Sequence, residues 1–320
     1  MRPTPTFTRH QLEAEALRLG FVALGVADLA PSAHADAFDD WLRRGYGGVM
    51  TYLHRRKKKR KSPATITPGA VRAIVVLENY FSPDAPGDDV APKVARYARG
   101  IDYHLVVLAR LRQLAEWMLA RGVTLAHAWC DDGPVPEREL AVRAGLGWIG
   151  KNTMLIRPGV GSWTFIGTIF TDMPLAVSEP FASDHCGSCT RCLEACPTDA
   201  FVAERVLDAT KCLSYLTIEQ KGDLPDGTHG WAFGCDICNE VCPWTAKFAT
   251  PTPVELLRPR LAYGALLREQ LPSMDEAAFA ATFAETPMAR AGLEGMRRNA
   301  AAALRDGAGP AHVSTSSPEN

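Results

Sequence analysis

Residues 186–197 read CGSCTRCLEACP, and this stretch decides how the middle of the chain folds. Cys186, Cys189, Cys192 and Cys196 stand in the spacing C-x2-C-x2-C-x3-C, closed by Pro197. Three thiolates so placed wrap three corners of a four-iron cube, and the fourth is turned away to serve a second one. A second run, CDICNEVCP at 235–243, repeats the x2 and x3 spacing with Cys235, Cys238 and Cys242, but Ala232 stands where its first cysteine belongs. Two cubes need eight thiolates; the runs supply seven, and Cys212 is the remaining cysteine of the segment. The spacing therefore predicts one 4Fe–4S cluster on Cys186, Cys189, Cys192 and Cys242, and a second on Cys196, Cys212, Cys235 and Cys238. A pair of zinc sites would also use thiolates, but this spacing is not that of zinc fingers. The ninth cysteine, Cys130, lies far outside and reads as a small buried side chain; Asp131 and Asp132 beside it disfavour a thiolate.

Such a segment is ferredoxin-like and passes electrons one at a time. Thiols of a reducing compartment are ligands rather than disulfides, which agrees with this use. Hydrophobic residues make up 47% and charged residues 22% of 320, ordinary for a globular chain, and no apolar run approaches a membrane span. The first ten residues carry neither an apolar signal core nor a twin arginine, so a cytoplasmic location is expected. Net charge is −1 but unevenly spread: residues 1–61 hold 12 Lys/Arg against 6 Asp/Glu, and residues 184–246 hold 4 against 10. Different partners are expected at the two regions.

Before the cysteines, residues 1–180 alternate helical and extended patterns, an α/β or α+β domain. Residues 9–19 read as an amphipathic helix, Phe21–Ala27 and Ala73–Leu77 as strands, and Asp102 as the cap of a helix to about Arg121 with Leu105, Leu108, Leu111 and Trp117 facing the core. Val123–Trp129 reads as a strand, Glu137–Ala144 as a short helix, and Thr153–Ile156 and Trp163–Phe170 as extended. After the cysteine segment, taken as 181–250, Pro251, Pro253 and Pro259 suggest a linker, Met274–Arg305 two helices, and 307–320 a disordered tail.

Two motifs mislead. Gly145, Gly147 and Gly150 spell G-x-G-x-x-G, but a helical stretch precedes them and an extended one follows, the reverse of a dinucleotide site; close backbone approach explains them better. Arg55–Lys61 is an unbroken basic run. It reads either as a solvated, mobile loop or as a phosphate-contacting patch, and the residues alone leave both open. His104 alone reads as an ordinary packed or surface histidine, and Asp131–Asp132 before Gly133–Pro134 as a polar turn.

Read together, PGAVRAIVVLENYF (68–81), RYARGIDYH (96–104), DDGPVPERELAVRAGLGWIGKNTMLI (131–156), GSWTFIGTIFTD (161–172), CLSYLTIE (212–219) and FGCDICNEVCPW (233–244) resemble the epoxyqueuosine reductases over roughly residues 10–305. The resemblance implies a cobalamin-binding α/β domain, a two-cluster domain, and a truncated HEAT-like segment at 251–306. It implies reduction of the epoxide of epoxyqueuosine at the wobble position of a tRNA, with two clusters feeding a base-off cobalamin from an external one-electron donor, and no membrane partner. It places the proton donor on Asp131 and Arg138 beside it. It further implies that Tyr97 and His104 line the pocket, that Lys151 and Asn152 bond corrin amides, and that Asp236 touches the corrin. Tyr215, Thr217 and Lys221 become candidates for cofactor-tail or tRNA contact, and the basic run gains a phosphate partner.

The sequence departs from the family pattern in having Thr168 where Glu is frequent, a short stretch after Glu219, and a short C-terminus. It has no D-x-H-x-x-G motif to give cobalt a histidine, which fits a base-off cofactor. The competing readings are a cobalamin enzyme like the reductive dehalogenases, which usually carry a twin-arginine signal, and an electron-transfer ferredoxin, which leaves the first 180 residues without a role.

Overall fold

The computed structural model of the chain describes residues 6–224 and 227–306; the tail expected at 307–320 lies outside them. Its centre is an antiparallel four-stranded sheet of β1 (Ala23–Ala27), β2 (Arg72–Asn79), β3 (Ala126–Trp129) and β4 (Thr164–Thr171), in the spatial order β1-β2-β4-β3. The run AIVVL in β2 is apolar at every position because both faces of the sheet are covered. Ile74 and Val76 pack in one core with Leu111, Leu114 and Met118, while Ala73, Val75 and Leu77 pack in another with Leu140, Ala141 and Phe170. Alternate side chains of a strand point to opposite faces, so one strand serves both cores.

Five helices belong to this part of the chain, α1 (Arg9–Arg18), α2 (Ala35–Arg43), α3 (Thr51–Lys61), α4 (Tyr103–Leu119) and α5 (Glu137–Arg143), of which α1, α4 and α5 pack on the sheet. Thr8 caps α1 in a reciprocal pair with Gln11, and the Asp102 carboxylate accepts from the His104 backbone N–H to start α4. The inward stripe of α4 differs from the expected one. Val106, Val107, Leu111, Leu114, Ala115 and Met118 are buried, whereas Leu105 is 57% exposed. The expected stripe is one position off at its N-terminal end.

The basic run is a helix, not a loop: α3 contains all of Arg55–Lys61. Charge repulsion along it is offset on one side. Lys61 and Lys57 reach Asp39 of α2 at 2.5 and 3.4 Å, Arg56 donates to the Asp132 carbonyl, and Arg60 lies over the Phe38 ring. His54, Arg55, Lys58 and Lys59, spaced to share the other face, are exposed.

The cysteine segment consists of short helices joined by turns, among them Arg191–Glu194, Leu213–Ile218, Ile237–Glu240 and Pro243–Phe248. Strand Trp231–Phe233 ties it to the sheet domain by parallel pairing with Lys93–Val94. The proline-rich stretch after it is not a loose linker: Thr252 N–H bonds the Phe81 carbonyl, and Val254 and Leu257 are buried in the α4 core. Prolines here shape a packed turn. The C-terminal segment forms helices Tyr263–Glu269, Glu276–Phe283 and Gly292–Asp306, whose Leu267, Phe283 and Met296 share a core with Met288, Val94, Ala98 and Phe233. The first of these helices lies between the prolines and the two helices expected from Met274, within the segment 251–306.

Candidate redox and substrate site

The eight thiols of the segment draw together in two groups. Cys186, Cys189, Cys192 and Cys242 line one cavity of about 240 Å³ with His185, Trp244 and Ile156. Burial raises the Cys192 thiol, and the charges of Cys242, Cys186 and Cys189 add to it. In the second quartet burial raises Cys212, Cys235 and Cys238, and mutual repulsion among these three and Cys196 pushes the same way. Four mutually repelling, partly buried thiols are tolerable as thiolates only around cationic metal. Among the described residues, no three His, Cys, Asp or Glu side chains converge tightly enough for a single ion. Thiolates on a four-iron cube bond different irons, so they stand wider apart than ligands sharing one. Neighbouring N–H groups support the sulfurs: Trp148 Nε1 lies 3.4 Å from Cys186 Sγ, and the Ala200 N–H donates to Cys196 Sγ at 3.3 Å. Cys212 and Cys242 each stand at the N-terminal cap position of the helix that follows them. Cys130 is buried in the α4 core, and burial followed by its acidic neighbours raises its thiol.

The glycine motif serves this architecture. Trp148–Ile149 pairs with Leu155–Ile156 in a hairpin, so no helix opens after the glycines. A Cβ on Gly147 would stand 2.2 Å from the Ile156 carbonyl oxygen, and one on Gly145 would stand 2.5 Å from that of Glu179. The backbone approaches its own chain, not a dinucleotide.

Asp131 stands at the opening of a second cleft of about 240 Å³, lined in part by Ser32, His34, Arg60, Glu137 and Arg138. Its φ of 54° holds the turn in the left-handed region, where aspartate is among the tolerated residues. Its backbone N–H donates to Glu137 Oε1 at 2.7 Å, its carboxylate accepts from the Tyr103 hydroxyl, and His104 Nε2 lies 3.9 Å away. The carboxylate is 63% exposed. Desolvation, then the Asp131 charge, raises Glu137. Burial draws the His104 imidazole down, but its hydrogen bond to Asp102 and the surrounding carboxylates outweigh that and raise it. Arg138 donates to the Thr153 carbonyl at 2.5 Å, which fixes its guanidinium at the rim. Tyr97 lies edge-on to Tyr103 at 6.1 Å and touches the turn before the second cluster, since a Cβ on Gly234 would meet its ring at 3.1 Å.

Five expected contact residues are engaged by protein partners. Thr217 is fully buried and accepts from the Gly234 N–H; Tyr215 is buried and its hydroxyl accepts from the Val49 N–H. Neither has surface for RNA or a cofactor. Asp236 is buried and accepts from the Arg96 N–H at 2.7 Å, and burial pushes its carboxyl up to about 6. Asn152 donates to the Cys238 carbonyl, and Lys151 pairs with Glu204 at 2.7 Å. The GKN turn therefore braces the cluster segment. Lys221 is exposed, beside a separate cleft of about 380 Å³ with Gln220 and Arg298. Thr168 is buried in β4 opposite Val75 and Trp129 in the sheet register, its hydroxyl without a partner among the described residues.

Three residues at this site escaped the sequence reading: Tyr103, Glu137 and Arg290. The first two lie inside quoted stretches, next to residues that drew attention. Arg290 reaches the site from the C-terminal turn Pro287–Arg290, where no local pattern marks it.

Two family models match. A 4Fe-4S double cluster binding domain covers residues 185–245, and the model described as epoxyqueuosine reductase QueG, DUF1730, covers residues 60–132. The epoxyqueuosine reductase of Pseudomonas aeruginosa is 39% identical over 312 residues, spanning 94% of this chain and 86% of that protein. The chain belongs to the epoxyqueuosine reductase family. The epoxyqueuosine reductase of Cyclobacterium marinum is 37% identical over 89% of this chain and 93% of its own length. A crystal structure of an epoxyqueuosine reductase with an epoxyqueuosine-modified tRNA-Tyr stem loop superposes with a TM-score of 0.84 at 27% identity, covering 93% of this chain and 81% of that one. The epoxyqueuosine reductase of Bacillus subtilis, with its catalytic aspartate loop swung out of the active site, gives 0.81 at 26% identity with the same coverage. This chain joins a mixed α/β domain to a double-cluster domain, and among the described residues no helix is long and apolar enough to cross a membrane.

Proposed function

We propose that this chain reduces epoxyqueuosine to queuosine at the wobble position of tRNA, in the cytoplasm, with Asp131 as proton donor. The observation that carries the reading is the placement of Asp131: its carboxylate opens onto a cleft that Arg60, Glu137 and Arg138 help to line, and is joined through Tyr103, Tyr97 and Gly234 to Cys235. Converting an epoxide to an alkene breaks two C–O bonds, consumes two electrons and two protons, and releases water. The clusters supply electrons singly, from a donor protein or small reductant.

Cobalamin, when bound, supplies a centre that gathers these electrons in pairs. The cleft's lining suits a ligand rich in amides and phosphate, since Arg60 and Arg138 offer donors there. Tyr103 occupies one carboxylate oxygen of Asp131, and the other makes no hydrogen bond among the described residues, so it is free to carry and deliver a proton. Glu137 holds the turn that presents it, and Arg138 stands at the rim. The helix α3 turns Arg60 and Lys61 toward this cleft and presents Arg55, Lys58 and Lys59 on its exposed face, open to RNA phosphates.

Nucleoside mass analysis of tRNA from a strain lacking the gene tests the reading. Epoxyqueuosine should accumulate and queuosine disappear; unchanged queuosine would refute it. Replacing Arg55, Lys58 and Lys59 together by Ala should weaken binding of an anticodon stem loop at low salt. The slope of log K against log salt should flatten by roughly 0.7–0.9 for each phosphate left without its cation. An unchanged slope would assign this face to solvent.

A further inference from the structure

Arg290 approaches the Asp131 site from the C-terminal segment rather than from the basic helix. Its turn is docked on the start of α4, where the Asp102 N–H bonds the Glu285 carbonyl at 2.7 Å. Arg290 Nη2 bonds Glu219 Oε1 at 2.5 Å, and the Tyr52 hydroxyl of α3 lies 3.5 Å from the same oxygen. Three separate parts of the chain thus meet at one carboxylate. The guanidinium remains 53% exposed and makes one hydrogen bond among the described residues, while Glu219 is largely covered. The start of α4 on which this turn rests carries Tyr103, the donor to Asp131, so Arg290 stands on the side of the reacting region.

An exposed arginine with spare donors beside a site for a nucleotide has an obvious anion to take. A base drawn out of a loop brings its flanking phosphates to the pocket mouth, and a planar guanidinium binds a phosphate through two parallel hydrogen bonds. Glu219 competes with such an anion, since a carboxylate and a phosphate cannot both be satisfied there without repulsion.

We propose that Arg290 is a substrate-positioning residue that takes an RNA phosphate next to the modified nucleoside, with Glu219 as the internal carboxylate it is drawn from. The C-terminal helical segment then contributes directly to the nucleic-acid site, and Arg290 and the face of α3 grip the strand from two elements. The inference rests on the functional reading above. A cobalamin tail also carries a phosphate, and the same donors could hold it; the RNA phosphate is the source argued here, because the guanidinium is exposed at the surface.

Binding of a labelled epoxyqueuosine-containing anticodon stem loop to the cluster-loaded protein tests it. Arg290→Ala should weaken binding about tenfold or more and flatten the salt slope by about one, with turnover at saturating RNA nearly kept. Arg290→Lys should restore the salt slope but only part of the affinity, since a point charge lacks the paired donors. Glu219→Gln should act in the opposite direction and tighten binding. A purely structural ion pair predicts that Arg290→Ala and Glu219→Gln do equal harm, and that result would overturn the proposal. So would a loss of cobalamin affinity, followed by optical titration, with RNA affinity unchanged. Visible cluster absorbance checks that each variant is folded, and Glu219→Gln decides the sign even if Arg290→Ala is unstable. Wild-type protein that ignores the modified stem loop would instead refute the functional reading itself.

Discussion

Asp131→Asn is expected to retain both clusters and to bind the stem loop normally, while deoxygenation falls by on the order of 10²–10⁴-fold. The substitution keeps the shape of the side chain and an oxygen for the Tyr103 hydroxyl, so the turn should survive. What it removes is the acidic proton, since an amide does not release one at neutral pH. The backbone N–H bond to Glu137 Oε1, which fixes the turn in its left-handed conformation, is untouched. Single-turnover assays with reduced clusters would isolate the effect: electron loading should proceed, and the epoxide should persist in the RNA. Activity within a few-fold of wild type would transfer the proton-donor role elsewhere, with His104, 3.9 Å from the Asp131 carboxylate, as the next group to replace. Glu137→Gln serves as the positional control. It keeps an oxygen acceptor for the Asp131 N–H, so turnover should fall far less than with Asp131→Asn.

The strands and helices of the first domain are legible because their cause is local. β2 announces itself as AIVVL, and α4 by its Asp102 cap. The sheet order is not legible, because antiparallel neighbours distant in sequence are chosen by packing on both faces. A loop is the natural reading of the basic run because seven adjacent cations disfavour any isolated helix. Asp39 and Phe38 of α2 and the Asp132 carbonyl, all outside the run, supply what it lacks.

The site divides the same way. Cysteine spacing is a covalent fact about reach, so a double-cluster segment can be read from it, with seven ligands from the runs and Cys212 from the count. Roles assigned by proximity to a motif fare worse. Thr217, Tyr215, Asn152 and Asp236 sit beside functional residues in sequence, yet each points into the protein to satisfy a backbone group there. A side chain adjacent to a ligand is often the one that holds the ligand's backbone, and sequence does not distinguish the two. Arg290 shows the converse, a residue whose partner Glu219, with Tyr52 beside it, comes together with it only through the fold.

Cys212→Ala is expected to lower bound iron from about eight to about four per chain, because it removes one of four thiolates from a single cube. Cys212 is separated from both cysteine runs, and its membership follows from arithmetic that the fold supports: its thiol lies in the electrostatic reach of Cys235, Cys238 and Cys196. The other quartet shares the cavity lined by Cys186, Cys189, Cys192 and Cys242 and should keep its iron. Electron paramagnetic resonance of the reduced variant should accordingly lose the broadening that two interacting clusters produce and retain one isolated signal. Turnover should vanish, since Cys235 follows the turn at Gly234 that reaches Tyr97, whose ring lies edge-on to the Tyr103 that bonds Asp131. Cys130→Ala, by contrast, should leave the iron count unchanged, because that thiol is packed in the α4 core away from both quartets. An iron content still near eight in Cys212→Ala would mean that another side chain completes the cube. A content near zero would mean that the two clusters assemble only together, through Cys196 and Cys242, which each run contributes to the other's cube.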